Sequence, residues 1–378
     1  MMMKKAAIAA AALLASTALA QAEIRLGASL SVTGPASFLG DPALKTLEML
    51  VEEINANGGI DGERVVLIHY DDAGDANRAR TFATRLVEDD EVHAVIGGST
   101  TGTTMAMAQV FNEAEIPFIS LAGAVVIIDP VQPFVFKTPH TDRMACEKIF
   151  ADIESRGLTR VGMISGSDGF GASMREQCLD VVQGTGIEIV GDETYGPTDA
   201  DMTPQLTRLR NTPGIEAIVN PGFGQGPTVV TRNFAQLGIE LPFYQSHGVA
   251  SRSYIELSGP ASEGVRLPGT ALLVADILPA DDPQHDVVHA YRDAFEGRFN
   301  QPVSTFGGYA HDAFRLMVDA ISRADSLDGV AIRDALRATD GFVGTTGIYT
   351  MSETDHMGLD LSAFRMLEIQ GGDWVLVD

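Results

Sequence analysis

The feature that most constrains this chain is a strict alternation of short apolar runs with amphipathic stretches, begun twice along its length. Ile24, Leu26, Ala28 and Leu30 alternate as a strand does. Asp41-Pro42 reads as an N-cap and first-turn proline. Leu44, Leu47, Val51 and Ile54 follow at helical spacing, and Gly58-Gly59 closes that helix. Strands are predicted at residues 65–68, 94–96 and 117–120, with helices marked by Ala79, Phe82, Ala83, Leu86 and Val87 and by residues 101–112. The series then restarts with a helical stripe of Met144, Ile149, Phe150 and Ile153. Strands at 161–164, 187–190, 217–219 and 242–245 alternate with helices at 172–182, 206–209 and 228–237. Repeated β-α-β units bury parallel sheets under helices on both faces, and two series imply two α/β lobes.

After Gly264 the rhythm changes to helices at 287–299, 305–323 and 330–338, then a strand-rich tail at 364–369 and 374–377. Pro139-His140, Leu267-Pro268 and the glycine-rich residues 341–347 are the expected crossings between lobes. This divides the chain into residues 23–139 with 271–345 as one lobe and 140–270 with 346–378 as the other. Residues 1–22 read as a cleaved signal peptide: Lys4 and Lys5, an uncharged run, then Ala18-Leu19-Ala20 or Ala20-Gln21-Ala22. The apolar run is shorter than the ~20 residues that span a bilayer, so export to the periplasm is expected.

The balance of 26 Lys+Arg against 51 Asp+Glu, a formal charge of −25, opposes nucleic acid and anionic membranes as partners. Cys146 and Cys178 sit on separate predicted helices, where the sequence admits a disulfide or a pair of buried thiols equally well.

In open α/β sheets, ligands bind beyond the carboxyl ends of the strands. Here those loops are 31–39, 97–101, 120–124, 165–170, 220–225 and 246–249, rich in Gly, Ser and Thr with Phe38, Phe170 and Phe223 interleaved. Aromatics offer a ligand apolar area; each alone suits a lobe core better, but all three falling in strand-end loops brings the two readings level. Gly97-Gly98-Ser99-Thr100-Thr101-Gly102 precedes a helix and suits a carboxylate. Plain N-capping by Thr100 or Thr101 fits it as well. Gly222-Phe223-Gly224-Gln225-Gly226 lacks the spacing of a dinucleotide fingerprint and reads as a loop where backbone approaches something closely. His285 and His289 stand four apart on a solvated helix, and Asp71, Asp72, Asp75 and Asn77 lack calcium-loop spacing. No nucleophile elbow or zincin motif is present. Neither metal nor cofactor nor catalysis is expected.

Several segments resemble the leucine/isoleucine/valine-binding proteins of ABC importers. They are Ile24-Arg25-Leu26-Gly27, Thr33-Gly34-Pro35-Ala36, Glu53-Ile54-Asn55-Ala56-Asn57-Gly58-Gly59-Ile60-Asp61-Gly62, Tyr70-Asp71-Asp72 and Val95-Ile96-Gly97-Gly98. The resemblance runs over the mature chain. It implies a type I periplasmic binding protein: α/β, two doubly wound parallel-sheet lobes, three crossings and a ligand in the cleft. It implies a partner, an ABC permease of the inner membrane, and two lobes with short crossings and no coiled-coil stripe lead us to expect a monomer. It places the carboxylate-holding hydroxyls at Thr100 and Thr101, and the ammonium-accepting carbonyl near Ala122, beside Gly123. A second-lobe aromatic falls at Phe170.

Three positions depart from the family. A threonine becomes Ala124, a tyrosine becomes Leu39, and the acid that pairs with an α-ammonium becomes His247. A buried ammonium needs an anionic or carbonyl cage. The expected ligand is therefore a small organic anion without the ammonium, with Phe38, Phe170, Phe223 and Gln225 about an aromatic body. The residues Tyr244-Gln245-Ser246-His247-Gly248 look like the subgroup that takes benzoates and hydroxycinnamates. A branched-chain amino acid binder and a ligand-presenting sensory subunit are the alternatives.

Overall fold

The computed structural model describes residues 23–377, so the signal-peptide reading of residues 1–22 lies outside the described residues. The first series comprises β1 (Glu23–Leu30), α1 (Ser37–Ala56), β2 (Arg64–Asp71), α2 (Ala76–Glu88) and β3 (Ala94–Gly97). It continues through α3 (Thr101–Glu113), β4 (Phe118–Ser120) and β5 (Val135–Lys137). The second comprises α4 (Asp142–Ser155), β6 (Arg160–Gly166), α5 (Gly169–Val181), β7 (Glu188–Tyr195) and α6 (Thr203–Arg210). After it come β8 (Ala217–Asn220), α7 (Gln225–Gln236), β9 (Phe243–Gln245), α8 (Arg252–Ser258) and β10 (Arg266–Gly269). The chain ends with α9 (His285–Phe299), α10 (Thr305–Ala324), α11 (Gly329–Arg337), β11 (Phe342–Val343), β12 (Ile348–Tyr349), β13 (Arg365–Gln370) and β14 (Asp373–Leu376).

Strands β1–β5 form a parallel sheet in the order β2-β1-β3-β4-β5. The second sheet runs β7-β6-β8-β9-β10 in parallel, the same order, and is extended by antiparallel β13 and β14. Each sheet therefore has its topological switch point beside its first strand, where a crevice opens past the carboxyl ends. The two α/β lobes expected from the periodicity are present. Buried Leu26, Ala28 and Leu30 of β1 and Val95 and Ile96 of β3 fill the first core. Helix α10, buried along most of one face, packs along α1.

The structure corrects four details. Helix α1 starts at Ser37, a turn before Asp41-Pro42, so Pro42 lies inside it. The early start seats buried Leu39 in the core and brings Gly40 against β1's end, where a Cβ would lie 2.3 Å from the Ser31 backbone. Leu267-Pro268 is no crossing: both residues belong to β10 and pair with Leu367 and Met366 of β13. Pro268 is tolerated because β10 pairs with β9 only at Arg266, leaving no ladder donor to lose. Residues 341–347 are likewise no crossing but the turn of the β11–β12 hairpin, whose Thr345 and Thr346 N–H groups donate to the buried Asp312 carboxylate. The glycines there serve close approach, since a Cβ on Gly344 would lie 2.6 Å from Asp312. Residues 346–356, assigned above to the second lobe, stay on the first: the Lys137 N–H donates to the His356 carbonyl oxygen. The chain reaches β13 only after that.

Cys146 of α4 and Cys178 of α5 form a disulfide, their Cα atoms 5.1 Å apart, which resolves the pairing left open above. Among the described residues no helix is long and apolar enough to cross a membrane.

Candidate functional site

The carboxyl ends of the two sheets meet around a partly open cavity. Leu39, Thr100, Thr101, Ala122, Gly123, Phe170, Phe223 and His247 line it. So do Ser99, Leu121, Pro139, Gly248, Phe306 and Tyr309. Three expected site residues do not line it. Phe38 stands behind the wall, its ring 5.4 Å from Phe306 and 6.5 Å from Phe223. Ala124 is wholly buried below the floor, and Gln225 lies in the outer mouth of the cleft.

The loop after β3 divides the two roles left open for its threonines. Gly98 takes a positive φ of 67°, which turns the chain from strand into helix. The Thr103 N–H donates to Thr100 Oγ1 at 3.1 Å, and Thr103 Oγ1 in turn accepts from the Thr100 N–H, a capping box. Thr100 is the N-cap. Thr101, one residue on, has its Oγ1 buried at the cavity without any partner.

The loop after β9 is stapled before it reaches the cavity. Ser246 Oγ donates to the Gly222 carbonyl oxygen and accepts from the Gly248 N–H. This holds His247 in a short 3-10 turn, 3% exposed, with neither ring nitrogen hydrogen-bonded. Burial pushes its imidazole well below 6.5, so the ring is neutral at pH 7. A neutral imidazole carries one N–H and one lone pair, and both face the cavity region unpaired. The Tyr309 hydroxyl from α10 is a further buried and unpaired group, kept protonated by burial. Leaving such groups unsatisfied costs about 1–3 kcal/mol each, which marks the cavity as a place where something polar docks.

The rings around it touch in a closed circuit. Phe38 meets Phe223, Phe223 meets Phe170, Phe170 meets His247, and His247 meets Phe364. Phe364 stacks on His140 at 3.7 Å, and the circuit returns through Tyr309 and Phe306 to Phe38. Phe170 sits edge-on to both Phe223 and His247, geometry favoured by ring quadrupoles. Among the described residues, no acidic side chain lines the cavity. Asp168 stands at the mouth, its carboxylate engaged as the N-cap of α5 by the Phe170 and Gly171 N–H groups.

Phe306 and Tyr309 were missed from the sequence. Three apart near the start of α10, they read as a core stripe, and nothing in their spacing separates the two roles. The remaining motifs find structural uses. Gly222 and Gly226 pack against Tyr195, where a Cβ would lie 2.3 Å and 2.4 Å from its atoms. Asp75 caps α2 by accepting from the Arg78 N–H, and Asp72 accepts from the Ser29 and Ser31 hydroxyls. His285 and His289 lie on α9 with ring centroids 4.2 Å apart. Among the described residues, no three His, Cys, Asp or Glu side chains converge to hold a metal.

Comparison with known proteins accords with this architecture. The family model described as periplasmic binding protein matches residues 23–373. Leu/Ile/Val-binding protein homolog 3 of Brucella melitensis is 26% identical over 352 residues, 92% of each chain. A leucine-, isoleucine-, valine-, threonine- and alanine-binding protein of Pseudomonas aeruginosa is 25% identical, over 86% of this chain and 84% of that one. The crystal structure of an extracellular ligand-binding receptor from Rhodopseudomonas palustris HaA2 superposes with a TM-score of 0.88 at 27% identity, over 94% of this chain and all of that one. Two lobes of the same strand order around a cleft lined by unpaired polar groups fit that company. The chain belongs to the periplasmic binding protein family, as a type I member among the Leu/Ile/Val-binding homologues, a family that holds small solutes and does not transform them.

Proposed function

We propose that this solute-binding protein captures an aromatic monocarboxylate of the benzoate or hydroxycinnamate kind and delivers it to an ABC permease. The observation that carries the reading is the combination at the cavity: a circuit of aromatic rings around it, unpaired Thr101, Tyr309 and His247 in its lining, and no carboxylate there. An α-ammonium buried there would lack a counter-charge, which costs several kcal/mol. A flat acid would instead set its ring among Phe170, Phe223 and Phe306. Its carboxylate would accept from Thr101 at the positive end of α3.

The Pseudomonas relative's name supports a second reading, an aliphatic amino acid. A thermal-shift series decides between them. The melting temperature is expected to rise by several degrees with benzoate, 4-hydroxybenzoate or coumarate at a hundredfold excess over the dissociation constant, and to stay put with leucine. A shift with leucine alone reverses the assignment.

The two threonines supply a finer test. Thr101→Val is expected to weaken binding about fivefold, the loss of one hydrogen bond, with the ligand-free stability unchanged. Thr100→Val removes a helix cap and is expected to cost about 1 kcal/mol of stability in urea unfolding. Equal effects of the two substitutions on affinity would remove Thr101 from the site.

A further inference from the structure

Lys137 ends β5 with no exposed surface, and its side chain runs beneath the cavity floor. Nζ donates to the carbonyl oxygens of Gly123 at 2.8 Å, His140 at 3.2 Å and Ala124 at 3.3 Å. Gly123 itself lines the cavity, so a single residue of backbone separates this nitrogen from the ligand space. Three carbonyl acceptors match the three N–H bonds of an ammonium; a neutral amine would leave one oxygen without a donor. Burial opposes the charge. The two come near balance, for burial pushes the Lys137 amine down to about 7 while Asp142 pulls it back up.

Several titratable groups pack around Lys137. Asp142 on α4 is buried, its carboxyl raised by burial and held by the Ser173 hydroxyl and the Val125 and Arg143 N–H groups. His140, at the crossing, is pushed down to about 3 by burial, and His247 across the cavity well below 6.5, so both are neutral. His356, whose carbonyl oxygen accepts from the Lys137 N–H, is lowered by burial as well. Tyr309 and Tyr349, raised by burial and by Asp312, stay protonated, and Arg365 of β13 lies near enough to His140 to lower it.

We propose that Lys137 is the positioning residue that selects the charge of the ligand: acting through the Gly123–Ala124 backbone it favours an anion, and capture draws a proton from solvent onto its amine. The proposal rests on the anionic-ligand reading above. A bound carboxylate raises the lysine's proton affinity, so the complex holds more protons than free protein and ligand. Affinity is then constant below pH 7, falls as pH rises above 7, and levels off above the pKa in the complex. A benzoic acid is ionised over that whole range and contributes nothing to the slope.

The test measures benzoate binding by calorimetry from pH 6 to 9, with phosphate and Tris compared at pH 8, for wild type, Lys137→Arg and Lys137→Met. The wild type is expected to lose affinity toward the limit of about tenfold per pH unit above pH 7, with uptake approaching one proton. Lys137→Arg stays charged, so its affinity is flat and its uptake zero; Lys137→Met binds more weakly at pH 6, also without uptake. Should the arginine fail to fit, the methionine variant alone decides. Zero uptake in the wild type, or uptake surviving in Lys137→Met, overturns the proposal. So does a Lys137 ¹³Cε resonance in the ligand-free protein that titrates at the ordinary value of about 10.4. Absence of benzoate binding at every pH overturns the ligand reading instead, and the ligand-free resonance then decides the lysine's role by itself.

Discussion

Gly123→Ala is expected to cost roughly 5- to 150-fold in ligand affinity while leaving the ligand-free protein folded and as stable as wild type. Gly123 belongs to the first lobe, in the loop after β4. A Cβ built on it would lie 2.7 Å from His247 Nε2 and 2.9 Å from Phe170 Cε2, both carried by the second lobe. The contact spans the cleft between the lobes. Gly123 is not among the glycines with positive φ, so alanine suits its backbone, and the nearest atoms its methyl group meets lie across the cleft on the second lobe. The cost therefore falls on closure, at the ~1–3 kcal/mol typical of one surplus carbon in a packed site. Small-angle scattering gives the independent reading. The wild-type radius of gyration should fall on adding ligand, and the variant's should fall less at equal saturation. Unchanged affinity and an unchanged contraction would show that closing does not press Gly123 against His247.

The lobes and their order were legible because burial imposes periodicity: strands covered on both faces need continuous apolar runs, and helices over them need a 3.6-residue stripe. The same argument explains the failures. A stripe position looks alike whether it faces a core or a ligand, so Phe306 and Tyr309 were invisible while Phe170 and Phe223, just past strand ends, stood out. Asp41-Pro42 and the glycines at 341–347 were read as local punctuation, but helix α1 starts earlier, with Gly40 against Ser31, and Gly344 packs against Asp312. The threonine pair shows the finest limit. Two adjacent hydroxyls carry one signal in sequence, and only the capping box separates the one committed to the helix from the one left over. Lys137 gave no signal at all. A lysine at the end of a short strand reads as solvated until the loop carrying Gly123 and Ala124 is folded over it.

His247 carries the second large expectation, and the more diagnostic one. The buried neutral ring holds an unpaired donor and an unpaired acceptor at the cavity, in the position where the family resemblance puts an acid. His247→Ala should weaken benzoate binding by about 1–3 kcal/mol, the range for losing one buried polar partner. His247→Asn keeps an N–H donor and should recover part of that loss. His247→Glu should be worst, by about 3–5 kcal/mol, because a carboxylate would stand unpaired beside the ligand's own. The glutamate has a second consequence: it restores the anion that an α-ammonium requires, so the ratio of benzoate to leucine affinity should fall further than in the alanine variant. Ligand-free melting curves identify any variant that fails to fold. Titration calorimetry with benzoate and leucine then ranks the four proteins. If alanine, asparagine and glutamate all bind as the wild type does, His247 stands outside the site, and the principal argument against an amino-acid ligand falls with it.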